Sequence, residues 1–427
     1  MPFIILLVSL LLSACGEVDT RSYTDDELEH AQNYQRLKSF FYKPERLKKY
    51  SEYVDMEIDL MYSSLNDYLR GHRYTYYKPP KEADEIINNI ENTDVYHSFG
   101  FERYLKTDTL LNTDTLIVSA VYPNSPANTA GLQKRDRLLF ADEVALTGDS
   151  AHFYAKYDSL FNSSVVFTVL REKNILKLPA MQKEDVLAPT VFLDSLEGVP
   201  FITVTEFTVN TNDPKGTYKE FVNALQQIKG TKTAIVDLRN NLGGNVGHCS
   251  AMAAELSPPD KELIYDIAHY DVKGEKVVYT NHYFAKDFKD NTGSGLGINW
   301  VILMNEYSAS CSERFIASVK SSRPETVLIG GTTYGKGIGQ IYMKTHLGGL
   351  SYITFMQTYF PDGKTFHEVG IEPDVVASPY SDEIYTEALK AVQKFDSKNL
   401  AKRFSANVEP PPEHKARKRE PLMYLFH

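Results

Sequence analysis

The stretch WVILMNEYSASCSE, residues 300–313, decides the fold of the central part of the chain. Its apolar run, Trp300–Met304, predicts a buried strand, and the pattern from Glu313 to Lys320 predicts a helix. Between them, three serines alternate with small residues in a tight turn. A strand, a tight turn and a helix in succession present the turn at the edge of a sheet, beside the positive end of the helix.

A second unit of the same kind lies upstream. Thr233–Leu238 predicts a strand, which is followed by a glycine-rich turn and a helical run over residues 247–256. Phe201–Thr205 predicts a further strand, and Gly216–Ile228 predicts an amphipathic helix. Because strands and helices alternate, we predict an α/β core, which we assign to residues 183–402.

Composition limits the classes of function. The chain has 427 residues, enough for two or three domains, and it is 42% hydrophobic and 24% charged, as globular proteins are. Its formal net charge of −10 argues against a nucleic-acid partner, because binding phosphates requires a basic face. The histidines form no local metal-ligand motif, so we expect no metal and no cofactor.

The first residues predict export and a lipid anchor. The apolar run from Phe3 to Leu12 is too short to span a bilayer and suits a signal peptide, residues 1–14. It ends in Leu-Ser-Ala-Cys15, which resembles a bacterial lipobox and implies acylation of Cys15. Residues 15–35 would then tether the protein to a membrane of the bacterial cell envelope, facing the periplasm. The alternative is an ordinary secretory signal with an incidental cysteine.

Four further regions follow from local patterns. Residues 36–94 predict a helical region that the Pro79-Pro80 pair interrupts, and residues 95–182 predict a β-rich domain of short strands. Residues 183–199, rich in Pro, Asp and Glu, are interpreted as a linker. Residues 403–427 form a basic tail.

The β-rich domain resembles a PDZ domain. The resemblance rests on SPANTAGLQKRDRLLFADEVAL, residues 125–146, in which Arg135 replaces a usual glycine. It implies that a loop formed by Ser98, Phe99, Gly100 and Phe101 binds the terminal carboxylate of a peptide, while the next strand offers a free edge. The alternative is a small β-domain that serves only as a spacer or lid.

A lysine between two glycines, Gly335-Lys336-Gly337, is the candidate base. To act as a general base near neutral pH, a lysine must have its pKa lowered from about 10.4 to about 7 or 8. Exposure cannot produce that change, whereas burial can. Taken alone, this segment is more often typical of a flexible surface turn, so the assignment depends on its neighbours.

Three motifs in order, DLRNNLGG (237–244), SASCSE (308–313) and GKGIGQ (335–340), resemble the carboxyl-terminal processing proteases, the tail-specific serine peptidases of family S41. The resemblance implies Ser310 as nucleophile, Lys336 as base and Gln340 as the group that orients the amine. It also implies a crotonase/ClpP-like α/β protease core with an inserted PDZ domain, acting on the C-terminal tails of protein substrates.

Stabilisation of an oxyanion requires backbone donors near the nucleophile. The N–H of Cys311 is one candidate, and the second is the N–H of Gly243 or Gly244. Cys311 could itself be the nucleophile, but no partner base is evident for it. Whether Cys311 forms a disulfide with Cys249 is left open by the sequence.

Other hypotheses remain. The chain could be a catalytically inactive peptide-binding adaptor of the cell envelope, or a serine esterase on the same scaffold. His367 invites a Ser-His interpretation, although it fits a surface turn better. Arg239 is interpreted as structural, pairing acidic groups to fix its turn, with a functional role as the alternative. The oligomeric state is not predicted.

Overall fold

The computed structural model describes residues 23–91, 95–108, 113–154, 161–209, 211, 213, 215–272 and 275–395. The predicted signal peptide, Cys15 and the basic tail lie outside these residues. Within the described ranges, no helix has both the length and the apolar character needed to cross a membrane.

The chain enters the described region through helix α1, Asp25–Phe40. Thr24 caps it, since the Glu27 N–H donates to Thr24 Oγ1 over 3.2 Å and the Thr24 N–H donates to the Glu27 carboxylate over 2.8 Å. The acidic residues that suggested a tether up to residue 35 therefore form the first turn of a helix, where negative charge is favourable. The tether prediction is wrong from Asp25 onward.

The region predicted as helical is only partly so. After α1 come two short 3₁₀ helices (Pro44–Arg46 and Tyr50–Glu52), α2 (Ile58–Ser63), β1 (Tyr68–Leu69), β2 (His72–Arg73), β3 (Tyr76–Lys78) and α3 (Pro80–Glu91). The proline pair starts α3 instead of ending a helix, because the first helical position needs no N–H donor. The three short strands carry too little alternation to be recognised in sequence.

A β-rich unit follows. Its elements are β4 (Val95–Ser98), β5 (Phe101–Asp108), β6 (Thr113–Val121), α4 (Pro126–Thr129), β7 (Arg137–Ala141), β8 (Val144–Ala145), α5 (Asp149–Tyr154), β9 (Ser164–Val165), β10 (Phe167–Arg171), β11 (Asn174–Lys177), β12 (Met181–Gln182) and β13 (Glu184–Leu187). The main sheet has the order β11-β10-β7-β6-β5, so β5 forms one edge. Phe99, Leu116, Phe167 and Val169 lie in its core.

The segment interpreted as a linker is structured. β13 pairs antiparallel with β4, and Val186 and Ala188 are buried against Tyr122. The linker prediction is therefore wrong, because residues 184–187 form a paired strand in which Val186 is buried.

The α/β core confirms the predicted mixed α/β content. It contains β14 (Val191–Leu196), β15 (Val199–Val204), α6 (Gly216–Gln227), β16 (Thr233–Asp237), α7 (Val246–Leu256), β17 (Glu262–Val272), β18 (Glu275–Phe284), a 3₁₀ turn (Ala285–Asp287), β19 (Asn299–Met304), α8 (Cys311–Ser322), β20 (Val327–Gly330), β21 (Ile338–Lys344), β22 (Leu350–Tyr359), β23 (Val375–Val376) and α9 (Glu383–Phe395). One sheet has the order β14-β15-β16-β19-β20-β23 and is parallel from β15 to β23.

Both faces of this sheet are covered by helices. On β19, Trp300, Ile302 and Met304 pack towards α6, α7 and α8, whereas Val301 and Leu303 pack towards α9. A strand buried on both faces has no polar alternation, which explains the continuous apolar run in the sequence.

The N-terminal segment, residues 23–91, pairs with and packs against the α/β core. A second sheet has the order β18-β17-β22-β21, and β3 pairs antiparallel with β22, with Tyr76 opposite Tyr352. Aromatic residues of the segment also share an apolar cluster with Ala309, Tyr334 and Ile338, which flank the two glycine- and serine-rich turns. The segment therefore forms one wall of the region described next.

Candidate active site

Ser310 occupies the turn between β19 and α8. Its φ of 55° and ψ of −111° lie in a region that residues other than glycine rarely adopt, a strain of about 1–3 kcal/mol. Two flanking hydroxyls hold the turn: Ser308 Oγ donates to the Leu238 carbonyl and Ser312 Oγ donates to the Asn241 carbonyl, both over 2.8 Å. The helix begins at Cys311, two residues before the start that the sequence pattern predicts.

The structure brings Ser310, Lys336 and Gln340 together. Lys336 Nζ lies 3.4 Å from Ser310 Oγ and donates to Gln340 Oε1 over 2.8 Å. The Lys336 side chain is buried, and this desolvation lowers its pKa from 10.5 to about 8. The ring of Tyr74 lies 5.0 Å from Nζ, and an aromatic face at this distance favours the ammonium form.

Glu313 joins the serine turn to the lysine turn, and sequence reasoning gave it no such role. The fully buried carboxylate accepts hydrogen bonds from Ser310 N–H (2.9 Å), Lys336 N–H (2.7 Å), Gly335 N–H (2.6 Å) and Thr333 Oγ1 (2.6 Å). Burial raises the Glu313 pKa to about 7, against the effect of these donors. Its position three residues after Ser310, at the start of a helix, was the available signal.

The glycine pair approaches the nucleophile closely. A Cβ on Gly243 would lie 2.8 Å from Ser310 Cβ, and the φ of Gly243 is 109°, so a side chain is excluded there. The Gly243 N–H already donates to Asn241 Oδ1 over 2.9 Å. Of the two glycines, Gly244 is therefore the remaining candidate for the oxyanion donor, and it lines the same cleft as Ser310 and Cys311.

The thiol of Cys311 is not placed like a nucleophile. It is buried, lies 2.7 Å from the Cys249 thiol and 3.1 Å from the Gly244 carbonyl oxygen, and both cysteines are free thiols. Burial raises the pKa of the Cys311 thiol well above its usual range. Its thiolate is therefore disfavoured.

Two other candidate residues, Arg239 and His367, were considered from the sequence. The Arg239 guanidinium bonds Asp237 at 2.7 Å and the Tyr385 hydroxyl at 2.8 Å, which agrees with the structural interpretation. His367 is buried beside the lysine turn, and burial lowers its pKa. Within the described residues, no hydrogen bond joins His367 to Ser310.

The four residues predicted to form a peptide-binding loop lie in the β-rich unit. None of them lines the cleft around Ser310. The Gly100 N–H donates to Ser98 Oγ over 3.1 Å, and the side chains of Phe99 and Phe101 are buried in the core of that unit. At Gly100, φ is 75° and a Cβ would collide with Ser125 Cβ, so only glycine fits the turn.

A serine beside a buried lysine and an amide, at the edge of an α/β sheet, is an arrangement typical of the class of serine hydrolases. Comparison with known proteins narrows this class, because residues 198–377 match the family model described as Peptidase family S41. That segment contains Ser310, Lys336, Gln340 and both glycines.

Curated relatives agree with this match. The chain is 28% identical over 346 residues to a probable CtpA-like serine protease of Staphylococcus aureus, and 26% identical over 354 residues to that of Staphylococcus haemolyticus. These alignments cover 80% and 83% of this chain but 63% and 65% of the relatives. The chain thus spans slightly less than two thirds of the length of the curated relatives it matches.

A solved structure shares the fold. The putative S41 protease from Bacteroides fragilis aligns with a TM-score of 0.52 and 14% identity, covering 89% of this chain and 99% of that chain. The likeness thus extends over both the β-rich unit and the α/β core.

Proposed function

We propose that this chain is a serine endopeptidase whose nucleophile is Ser310 and whose general base is Lys336. One observation carries the proposal: the Lys336 amine is buried, has a pKa of about 8 and lies 3.4 Å from Ser310 Oγ. With that pKa, about a quarter of the amines are neutral at pH 7.5, against about one in a thousand for an exposed lysine.

The geometry suits acyl transfer. Ser310 Oγ attacks the peptide carbonyl carbon while Lys336 Nζ takes the hydroxyl proton. The N–H groups of Cys311 and Gly244 donate hydrogen bonds to the oxyanion that forms. The protonated Lys336 then gives its proton to the leaving amine, which leaves an acyl-enzyme. Water attacks the ester with Lys336 again as base, which releases the acid and restores Ser310.

Recognition of C-terminal tails belongs to the same proposal. The loop of Ser98–Phe101 precedes β5, which is the edge strand of its sheet, and an edge strand can pair with an extended peptide. We assign the β-rich unit the role of a PDZ domain on this basis. Acylation at Cys15 and a location on the cell envelope facing the periplasm are proposed from the sequence alone.

Cleavage of casein and of a tagged peptide by the purified protein tests the proposal. We expect activity in the wild type and a loss of at least about 100-fold in both Ser310→Ala and Lys336→Ala. Equal rates in the three proteins would refute the Ser-Lys mechanism. Peptide binding without cleavage would favour the adaptor, and turnover of a small ester without peptide cleavage would favour the esterase.

The terminal carboxylate is tested separately. The same peptide with a free or an amidated C-terminus should differ in KM if the β-rich unit binds the carboxylate. Equal KM values would remove tail recognition while leaving the peptidase proposal intact.

A further inference from the structure

A buried carboxylate in the N-terminal segment accepts hydrogen bonds from three hydroxyls. Asp67 Oδ1 accepts from the Tyr42 hydroxyl over 3.0 Å, and Asp67 Oδ2 accepts from Thr75 Oγ1 over 2.5 Å and from Thr354 Oγ1 over 2.7 Å. Asp67 is 4% exposed, and among the described residues it forms no ion pair. A buried carboxylate without a cation is costly, so its position calls for an explanation.

Thr354 connects this carboxylate to the candidate catalytic group. It lies on β22 directly opposite Gln340 of β21, and Gln340 Nε2 is 3.4 Å from Thr354 Oγ1. A carboxylate can only accept, so the single hydroxyl proton of Thr354 goes to Asp67 at 2.7 Å, in preference to the Tyr74 carbonyl oxygen at 3.2 Å. The Thr354 oxygen is then an acceptor towards Gln340, which must present its NH₂ group to Thr354.

The orientation of the Gln340 amide decides whether its oxygen or its NH₂ group faces the Lys336 amine. With its NH₂ group on Thr354, Gln340 turns Oε1 towards Lys336 Nζ at 2.8 Å. The neutral amine then donates an N–H to Gln340, which leaves its lone pair for Ser310 Oγ. The opposite amide orientation would offer an N–H to the amine and engage that lone pair.

We infer that Asp67 is a positioning residue for the base: through Thr354 and Gln340 it fixes the direction of the hydrogen bonds, so that the lone pair of Lys336 faces Ser310. This inference rests on the proposed function. It adds a requirement that lies outside the S41-matching segment, which begins at residue 198.

Asp67 also acts on Lys336 through its charge. The charges of Glu313 and Asp67 raise the Lys336 pKa against the larger effect of burial, and the Tyr74 ring faces the same amine. Removal of the Asp67 charge should therefore lower the Lys336 pKa further. The titratable groups that the charge of Asp67 reaches, besides Lys336, are Tyr42, Lys43, Tyr74 and His367, and Glu368 lies beside Tyr42, Lys43 and His367.

The pH profile of kcat/KM for peptide cleavage in Asp67→Asn tests the inference. An asparagine can donate to Thr354, which reverses the chain of hydrogen bonds at little cost in volume. We expect a 10- to 100-fold lower plateau of kcat/KM, carried by kcat with little change in KM, and an acidic limb displaced to lower pH. A purely structural defect would not move that limb. Asp59→Asn, an exposed carboxylate of the same segment, is the matched control and should keep the wild-type profile.

A second substitution separates hydrogen-bond direction from general damage. A glutamate at position 340 accepts at both oxygens, so Gln340→Glu alone should be impaired, because it faces the lone pairs of Thr354. In the double variant with Asp67→Asn, the Thr354 proton can turn towards position 340, and kcat/KM should recover at alkaline pH. Additive losses in the double variant would overturn the inference.

The outcomes are distinguishable from failure of the proposed function. If the wild type and Ser310→Ala are equally active or inactive, the function fails and the inference with it. If the wild type cleaves peptide and Asp67→Asn matches it at every pH, only the inference is overturned. If Asp67→Asn does not fold, Thr354→Val tests the same connection and should lower kcat, whereas Thr354→Ser should retain it.

Discussion

Replacement of Lys336 by methionine should stabilise the folded chain at neutral pH while abolishing peptide cleavage. Methionine has a similar length and no charge. The buried ammonium is destabilising because its pKa is about 8 in the folded protein, compared with 10.5 for an ordinary lysine. A base whose pKa is lowered by folding makes the folded state less stable wherever it is protonated in both states.

The magnitude follows from the two pKa values. Their difference corresponds to about 3.4 kcal/mol, present in full below pH 8 and relieved as the pH rises from 8 to 10.5, because the unfolded chain then binds more protons. In Lys336→Met, Gln340 Oε1 loses the hydrogen-bond donor that Lys336 provides. This loss offsets about 1 kcal/mol of the stabilisation gained by removing the buried charge. We therefore expect a net stabilisation of about 2 kcal/mol at pH 7 that approaches zero at pH 9.5.

Fluorescence of the single tryptophan provides the assay. Trp300 is fully buried on β19, in the core that carries Ser310, so its emission reports unfolding of that core. Urea titrations of the wild type and of Lys336→Met at pH 7.0 and 9.5 give the four free energies of unfolding. Lys229→Met, in the exposed turn after α6, is the matched control for the loss of an exposed lysine.

The comparison between the two pH values isolates Lys336. Glu313 and Cys311 are present in both proteins, so their titration cancels to a first approximation. A stability difference that is equal at pH 7.0 and 9.5 would refute a lowered Lys336 pKa, and with it the role of Lys336 as a base at neutral pH.

Two further substitutions test the neighbouring groups. Cys311→Ala should keep kcat/KM within about threefold, since the buried thiol takes no part, at a cost of about 1 kcal/mol in stability; a loss as large as that of Ser310→Ala would make the thiol the nucleophile. Glu313→Gln places an NH₂ group opposite two of the hydrogen-bond donors whose bonds the carboxylate accepts in the wild type. We therefore expect a loss of about 3 kcal/mol or more in the free energy of unfolding, and a fall in kcat/KM. Unchanged unfolding in urea would contradict the bridging role of Glu313.

The features that the sequence predicts well are formed by residues that are close together in the chain. The strand, turn and helix around Ser310 follow from an apolar run, alternating small residues and a capping glutamate, all within about twenty positions. Gln340 lies four residues after Lys336, so their contact forms within one short segment of the chain. The predictions that fail are those based on composition: acidic residues near Asp25 suggested a tether, and Pro, Asp and Glu suggested a linker where β13 and β14 form.

The part of the site that the sequence does not reveal comes from a distant segment. Burial lowers the Lys336 pKa, yet the glycines on either side of Lys336 supply no apolar cover of their own. Tyr74 lies over the amine, and Asp67 reaches Gln340 through Thr354, from positions more than 260 residues earlier in the chain. No pattern in either segment encodes that contact, because it depends on the pairing of β3 with β22. The lysine turn provides the amine, and the N-terminal segment excludes the water that would keep the amine protonated; removal of residues 23–91 should therefore abolish the base even though every residue of the S41-matching segment is still present.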